Sequence, residues 1–438
     1  MDFDDTPEES TYREEVRAFL NNSAEHKKEK RVSFEVIEFD MERSRAWQAK
    51  KAAAGFAGIT LPKKYGGRGG TPIQQVIFAQ EELNYYVPRG MVFVVSLNIC
   101  MPTMIAYASP DRLERYVKPA LRGEEIWCQL FSEPAAGSDL AGLRTRAELH
   151  GNEWLINGQK IWTSGAQFAD FGLIITRTDP TVPKHEGLTA FYLDMKSPGI
   201  RVSPIKQMSG ESHFNEVFFA DVRVPDDQRL GKVGEGWKVA LHTLSNERLA
   251  VGHAEGPSFS DVFAVTGSIG LDSGPAIHHP VVRDRLADWY VKTEGLKYTT
   301  FRVMTALSQG RTPGPEASII KIVSTNKLME TSSFVLDLLG MGGAVRNADI
   351  VPMEGWFQDT YLRSPGDRIA GGAEEIMLNI IAERVLGLPG DIRIDKDVPF
   401  NQLKAGIGSQ RVKKHVIDDR ARDGCRDGRR REPKKENA

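Results

Sequence analysis

The hydrophobic period changes twice along this chain, and that change restricts its possible folds more than any other feature. Residues 9–125 repeat their apolar side chains at helical spacing: Tyr12, Val16, Phe19 and Leu20 form one stripe, and Val76, Ala79 and Leu83 another. From about Cys128 to Val224 the pattern becomes short, strand-like runs, and from Gly236 helical spacing returns. Helices, then strands, then helices give segregated layers rather than alternating βα units. The expected fold class is therefore α+β, divided at 1–125, 126–232 and 233–390, with a basic tail over 391–438.

The strand region is punctuated by glycine. In Glu153-Trp154-Leu155-Ile156-Asn157-Gly158-Gln159-Lys160-Ile161-Trp162, the Asn157-Gly158 pair predicts a hairpin turn between two short strands. A further turn is expected just before it, at His150-Gly151-Asn152. Leu173–Thr176, Ala190–Leu193, Glu216–Phe219 and Val222–Val224 read as further strands, closed by Pro225. The clearest later helices are 237–253, 280–307, 314–340 and 373–387, with turns at 267–276 and 309–315. Tyr65-Gly66-Gly67-Arg68-Gly69-Gly70 reads as a loop between N-terminal helices.

Charge and cysteine narrow the function. Among 438 residues, 57 Lys and Arg nearly balance 59 Asp and Glu, for a net charge of −2. A protein built around a nucleic-acid backbone would be strongly basic. The tail from 401 differs, with 12 basic residues against 6 acidic, which leaves −8 on the rest. Its low apolar content predicts disorder; a solvated tail is favoured over an arm for nucleic acid or anionic membrane. The three cysteines, Cys100, Cys128 and Cys425, are scattered, so neither a disulfide framework nor a zinc site is implied. The acidic start lacks a signal peptide's basic and apolar regions. The uncharged stretch 90–110 is broken by Ser96, Asn98, Pro102 and Thr103, so it reads as a buried core helix and not a membrane span. A cytoplasmic location follows as the expectation.

Two segments carry candidate chemistry. In Cys128-Gln129-Leu130-Phe131-Ser132-Glu133-Pro134-Ala135-Ala136-Gly137-Ser138-Asp139, a strand enters a loop of small and hydroxyl residues, where a ligand can approach the backbone and Ser132 and Ser138 can bond it. In Lys160-Ile161-Trp162-Thr163-Ser164-Gly165, an indole followed by two hydroxyls suits a planar ring with polar edges. Each has a plainer reading, a tight loop in one case and a core tryptophan in the other.

Together, about thirty residues apart, these segments resemble the acyl-CoA dehydrogenase family. The likeness covers roughly residues 10–390. It continues through Asn215-Glu216-Val217-Phe218-Phe219, Gly234-Glu235-Gly236-Trp237, Ile369-Ala370-Gly371-Gly372-Ala373-Glu374-Glu375-Ile376 and Ala382-Glu383-Arg384-Val385-Leu386-Gly387. The resemblance implies an N-terminal helical domain, a central β-barrel or sheet domain and a C-terminal four-helix bundle. It implies FAD as cofactor, an acyl-CoA substrate oxidised to the trans-2-enoyl-CoA, an electron-transfer flavoprotein as acceptor, and a dimer or tetramer of like or unlike subunits. By motif position, Leu130, Phe131 and Ser132 would lie along the isoalloxazine ring. Ser138 would sit near the phosphates or the thioester arm. Trp162, Thr163 and Ser164 would bracket the flavin.

Removing a proton next to a thioester needs a carboxylate in a dry site. In much of the family that carboxylate opens the last glycine-rich loop; here the position is Gly371. Another branch carries it on an earlier helix in a Glu-Arg motif, matched by Asn246-Glu247-Arg248-Leu249. Helical spacing puts Trp237, Ala240, Leu244, Glu247 and Val251 on one stripe, so Glu247 interrupts an apolar face. It is the candidate base, and the backbone N–H of Gly371 is a candidate donor to the thioester carbonyl. A structural ion pair is the other reading of Glu247.

Several positions depart from the family. Residues 267–275 lack the arginine that reaches a neighbouring subunit's flavin. Ala373 replaces a threonine and Asp337 a glutamine. These departures point to complementary subunits, and with the base at Glu247 they resemble bacterial enzymes of steroid side-chain catabolism. Met101, Met104 and Tyr107 either line an acyl pocket or pack the core. A flavin oxidase or monooxygenase on the same fold is the competing activity, and a non-catalytic partner or nucleic-acid-binding relative the third reading.

Overall fold

The computed structural model describes residues 5–26, 40–88, 90–250, 256–311, 314, 317–346, 349–390 and 395–403. The N-terminal helices are α1 (Pro7–Asn21), α2 (Met41–Ala53), α3 (Pro72–Glu82), α4 (Met91–Val94), α5 (Met101–Tyr107) and α6 (Pro110–Leu121), with a π-helical turn over Val95–Cys100. Thr6 and Glu9 close a capping box at the start of α1. Tyr12, Val16 and Leu20 of α1 are buried, as their spacing predicts. The phase of α3 differs from the expected one. Ile73, Ile77 and Phe78 face the core, whereas Leu83 is exposed. The larger side chains decide the phase, and Glu81 is tolerated on that face because Arg13 and Arg17 of α1 bind it at 2.9 Å. A short ladder, β1 (Glu25–His26) with β2 (Tyr85–Tyr86), closes this layer.

The central sheet has eight strands: β3 (Trp127–Leu130), β4 (Arg146–His150), β5 (Glu153–Ser164), β6 (Phe171–Arg177), β7 (Leu188–Asp194), β8 (Ile200–Ile205), β9 (Phe214–Pro225) and β10 (Arg229–Leu230). Their order is β10-β7-β6-β4-β5-β9-β8, with β3 parallel to β6. The β4–β5 hairpin turns at Gly151, whose φ is +66°. The hairpin expected at Asn157-Gly158 is not there: β5 runs straight through it. A side chain at Gly158 would meet Thr145 Oγ1 at 2.5 Å, so the glycine admits a close approach, not a turn. Asn157 Nδ2 donates to Asp221 Oδ1 at 2.9 Å, and the Asp221 N–H returns a bond to Asn157 Oδ1 at 3.0 Å, beside a break in the β5–β9 register.

The C-terminal helices are α7 (Gly236–Ala250), α8 (Phe259–Ser268), α9 (Pro280–Ser308), α10 (Ala317–Leu338), α11 (Trp356–Ile369) and α12 (Glu374–Ile380), the last followed by a π-helical turn over Ile381–Val385. Between α8 and α9 a two-residue ladder, β11 (Gly270–Leu271) with β12 (Gly274–Pro275), makes the expected turn. Helices α8 and α11 were not among those read from periodicity. In α11 the interior Pro365 masks the signal; the Tyr361 carbonyl it leaves unpaired accepts from Ser364 Oγ at 3.2 Å.

Polar contacts tie the π-helical turn to the sheet and α5 to α7. Ser96, in the π-helical turn, accepts from the Trp127 N–H at 2.8 Å and donates to the Trp127 carbonyl at 3.1 Å. Thr103 and Thr243 share a hydroxyl bond at 2.9 Å between α5 and α7. The stretch 90–110 is thus a core element whose polar residues are ties. Met101 and Met104 are fully buried beside Val239 and Ala240, in core packing. Tyr107 stacks edge-on against His242. Among the described residues no helix is long and apolar enough to cross a membrane.

Part of the segment assigned to the tail is packed on the sheet domain. The Phe400 N–H bonds the Val182 carbonyl at 2.9 Å, its ring lies 3.5 Å from the Arg177 guanidinium carbon, and Asp395 pairs with Lys184 at 2.6 Å. An aromatic ring and a carboxylate find partners there, which net composition does not reveal. Residues 404–438, including Cys425, lie outside the described residues.

Candidate functional site

The site is built where β3 leaves the sheet. Leu130 and Phe131 are buried in the core, so what they can present to a ligand is main chain. Ser132 is half-buried, and its carbonyl accepts from the Ile161 N–H at 2.9 Å, which fastens the two candidate segments together. Glu133 and Ala136 then close a tight loop with reciprocal backbone bonds of 2.9 and 3.0 Å. Gly137, Ser138 and Asp139 are exposed at its tip. Lys184 holds Asp139 at 2.9 Å.

Beneath this loop lies a pair that sequence reading missed. Lys160 is fully buried; its Nζ donates to the Phe131 carbonyl and to Glu133 Oε1, each at 2.9 Å. Glu133 also accepts the backbone N–H groups of Arg144 and Thr145, at 2.6 and 2.9 Å. Burial works against its charge, yet Lys160 and these donors hold the Glu133 carboxyl below the usual range. Burial pulls the Lys160 ammonium down, and Glu133 opposes that. The available signal was a lysine on the inward phase of β5.

One turn of chain further, Trp162 adopts a left-handed conformation, φ +60°, within a break in the β5–β9 register. That is an uncommon state for a large side chain. It turns the indole outward, 55% exposed and edge-on to Phe214. Thr163 is buried; its carbonyl accepts from Asn215 Nδ2 at 3.0 Å, while its Oγ1 has no hydrogen-bond partner among the described residues. Ser164 is half-buried, and Gly165 packs too closely on Val92 for any side chain.

Glu247 approaches from α7. It is half-buried, and its Oε2 accepts from Gln129 Nε2 of β3 at 3.2 Å. Cys100 lies close enough to sense its charge; burial first, then Cys128 and Glu247, push the Cys100 thiol well above its ordinary range. The expected stripe is present: Ala240 is buried, and Trp237 and Leu244 pack on the core. Val251 lies outside the described residues. The structure therefore joins Ser132, Trp162 and Glu247 to one strand exit.

Gly371 sits elsewhere in the bonding pattern. It is exposed in the α11–α12 loop with φ +64°, and Gly372 follows at +102°. Lys321 of α10 ties this loop down, donating to the Arg368 carbonyl at 3.1 Å and to that of Gly372. Arg368 and Asn326 both bind Glu374 at the start of α12. Ala373 is the N-cap residue of α12 and makes no side-chain cap bond.

An exposed indole in a forced backbone state beside an orphaned buried hydroxyl fits a planar ring with polar edges. No group of His, Cys, Asp and Glu among the described residues could hold a metal ion.

Comparisons with known proteins identify the family. Residues 6–124, 128–222 and 234–386 match, in turn, the N-terminal, middle and C-terminal domains of acyl-CoA dehydrogenase. Acyl-CoA dehydrogenase FadE34 of Mycobacterium tuberculosis is 36% identical over 78% of this chain, which spans 46% of that protein, about half its length. Acyl-CoA dehydrogenase IpdE1 of Mycolicibacterium smegmatis is 34% identical over 80% of this chain and 90% of its own. Among solved structures, the Tcur3481-Tcur3483 steroid ACAD superposes with a TM-score of 0.74 at 27% identity, over 89% of this chain and all of that one. The ChsE4-ChsE5 complex from Mycobacterium tuberculosis gives 0.72 at 26% identity, with the same coverage. The chain belongs to the acyl-CoA dehydrogenase family of oxidoreductases.

Proposed function

We propose that this protein dehydrogenates an acyl-CoA thioester between its α and β carbons, giving the trans-2-enoyl-CoA, with FAD as cofactor. The observation that carries the reading is the Gln129–Glu247 contact, because it sets a carboxylate at the strand exit that also bears Ser132 and adjoins Trp162. FAD, when bound, would accept the β hydrogen with its electron pair. Trp162 would cover the ring, and Thr163 Oγ1 and Ser164 would meet its polar edge. Ser132 would do so from the neighbouring loop, and exposed Ser138 would serve the phosphates or the thioester arm.

Glu247 would take the α proton on a carboxylate oxygen. The Gly371 N–H would polarise the thioester carbonyl, because a backbone donor needs no particular side chain. The left-handed Gly371–Gly372 turn, pinned by Lys321, is compatible with presenting such a donor.

Relatives named as steroid acyl-CoA dehydrogenases support a bulky, ring-bearing acyl group. A related structure is a two-component complex, which supports an unlike partner subunit for this chain. An electron-transfer flavoprotein is the proposed acceptor, and the cytoplasm the proposed location.

The test is anaerobic titration of the purified protein with a panel of acyl-CoAs, alone and with candidate partner subunits. Loss of flavin absorbance with one acyl class, abolished by Glu247→Gln while flavin stays bound, is expected. Full bleaching by the Gln variant would refute the base. Flavin that no acyl-CoA bleaches, but that turns over with oxygen and another substrate, would favour an oxidase.

A further inference from the structure

Gln129 is a point at which Glu247 meets the sheet. Gln129 is the third residue of β3, and strand alternation puts it on the same face as Trp127 and, just past the strand, Phe131. Both are buried in the layer that also holds Cys100, Met101 and Met104. Cys128 and Leu130 point to the opposite face and join the other core cluster. In register with Gln129 on β6 is Leu173, also fully buried. Gln129 is therefore the only polar side chain β3 contributes, and its Nε2 donates to Glu247 Oε2 at 3.2 Å.

We propose that Gln129 is a positioning residue for the Glu247 carboxylate, an inference that rests on Glu247 being the base. Three features carry it. A half-buried amide among Trp127, Phe131 and Leu173 is costly unless its donor is used, and Glu247 uses it. The amide donates without adding charge. A lysine or arginine there would lower the carboxylate pKa and weaken the base, whereas a neutral N–H fixes its rotation at smaller cost in basicity. The anchor is also rigid. β3 is locked to β6 by its ladder and to the π-helical turn through Ser96, so the amide is held by strand backbone.

The role differs from catalysis proper, since Gln129 acts through Glu247. Gln129→Leu keeps approximate size and removes the donor. In the flavin-loaded protein, its rate of flavin reduction by a saturating acyl-CoA should fall on the order of 10–100-fold, less than the roughly 10²–10⁴-fold that a general base itself contributes, because the base is still present. Half-saturation by that acyl-CoA, flavin occupancy and thermal midpoint should stay as in the parent. Gln129→Leu combined with Glu247→Gln should lose no more than Glu247→Gln alone, because the two act as a unit.

A Leu variant that reduces at the parent rate, while Glu247→Gln is dead, overturns this proposal and leaves the base assignment standing. A Leu variant that loses flavin or melts early in proportion to its rate overturns it in favour of a structural role. Full activity in Glu247→Gln removes the base assignment, and this inference with it.

Discussion

Lys160 Nζ lies 2.9 Å from Glu133 Oε1, and the lysine has no solvent exposure. The pair locks the loop after β3 onto β5 two residues before Trp162. Losing one partner strands a buried charge and costs about 3–5 kcal/mol. Lys160→Met should therefore shift urea unfolding by that amount and weaken flavin retention. Lys160→Met with Glu133→Gln should recover part of the loss. Additive losses in the double variant would show that the two residues do not act on one another.

The conformation of Trp162 predicts a separation of stability from binding. A non-glycine residue in the left-handed region costs roughly 1–2 kcal/mol. Trp162→Gly removes that cost together with a mostly exposed side chain, so flavin-free protein should melt no lower than the parent. Flavin affinity, measured by fluorescence titration, should drop. A lower melting point in the flavin-free state would mean that the indole supports the fold instead.

The buried thiols give a chemical readout. Burial pushes Cys128 up to about 12, and it also raises Cys100 well above its ordinary range, with Cys128 and Glu247 adding to the effect. Neither should form thiolate at pH 8. A Cys425→Ser variant should then be inert to a thiol reagent when folded and release two equivalents in denaturant. Fast labelling of the folded variant would show that this core opens.

How much could be read in advance follows from where the information lies. Tyr12, Val16 and Leu20 gave α1 its phase because a stripe is a local pattern. Glu247 stood out for the same reason, as one charge on an apolar face. The turn expected at Asn157-Gly158 failed because the glycine answers Thr145, the residue just before β4, and the Asn157 amide answers Asp221 on β9. Such contacts have no trace in local spacing. Gln129 was in a quoted motif without a role, since its function depends on a helix more than a hundred residues later. Lys160 stood in a quoted segment without a role, and only the fold brings it to Glu133. Likewise, net charge described the tail but not the ring of Phe400 under Arg177.

That packed segment gives the last prediction. Lys184 bridges Asp139 of the candidate loop and Asp395 of the C-terminal segment. Burial disfavours its charge, but the two carboxylates outweigh that and hold it above its ordinary range. Asp395 is held below 3.8, chiefly by its bond to Lys184. A carboxyl lowered in the folded state adds stability above its unfolded value and loses it as pH falls through the folded one. The contact should therefore persist at neutral pH and weaken only below about pH 4, where Asp395 protonates. Asp395→Asn should remove that acid-dependent part, leaving Phe400 stacked on Arg177. The check is protection from hydrogen exchange at residues 395–403 across the pH range. Protection lost near pH 6 in the parent would mean that another group controls the segment.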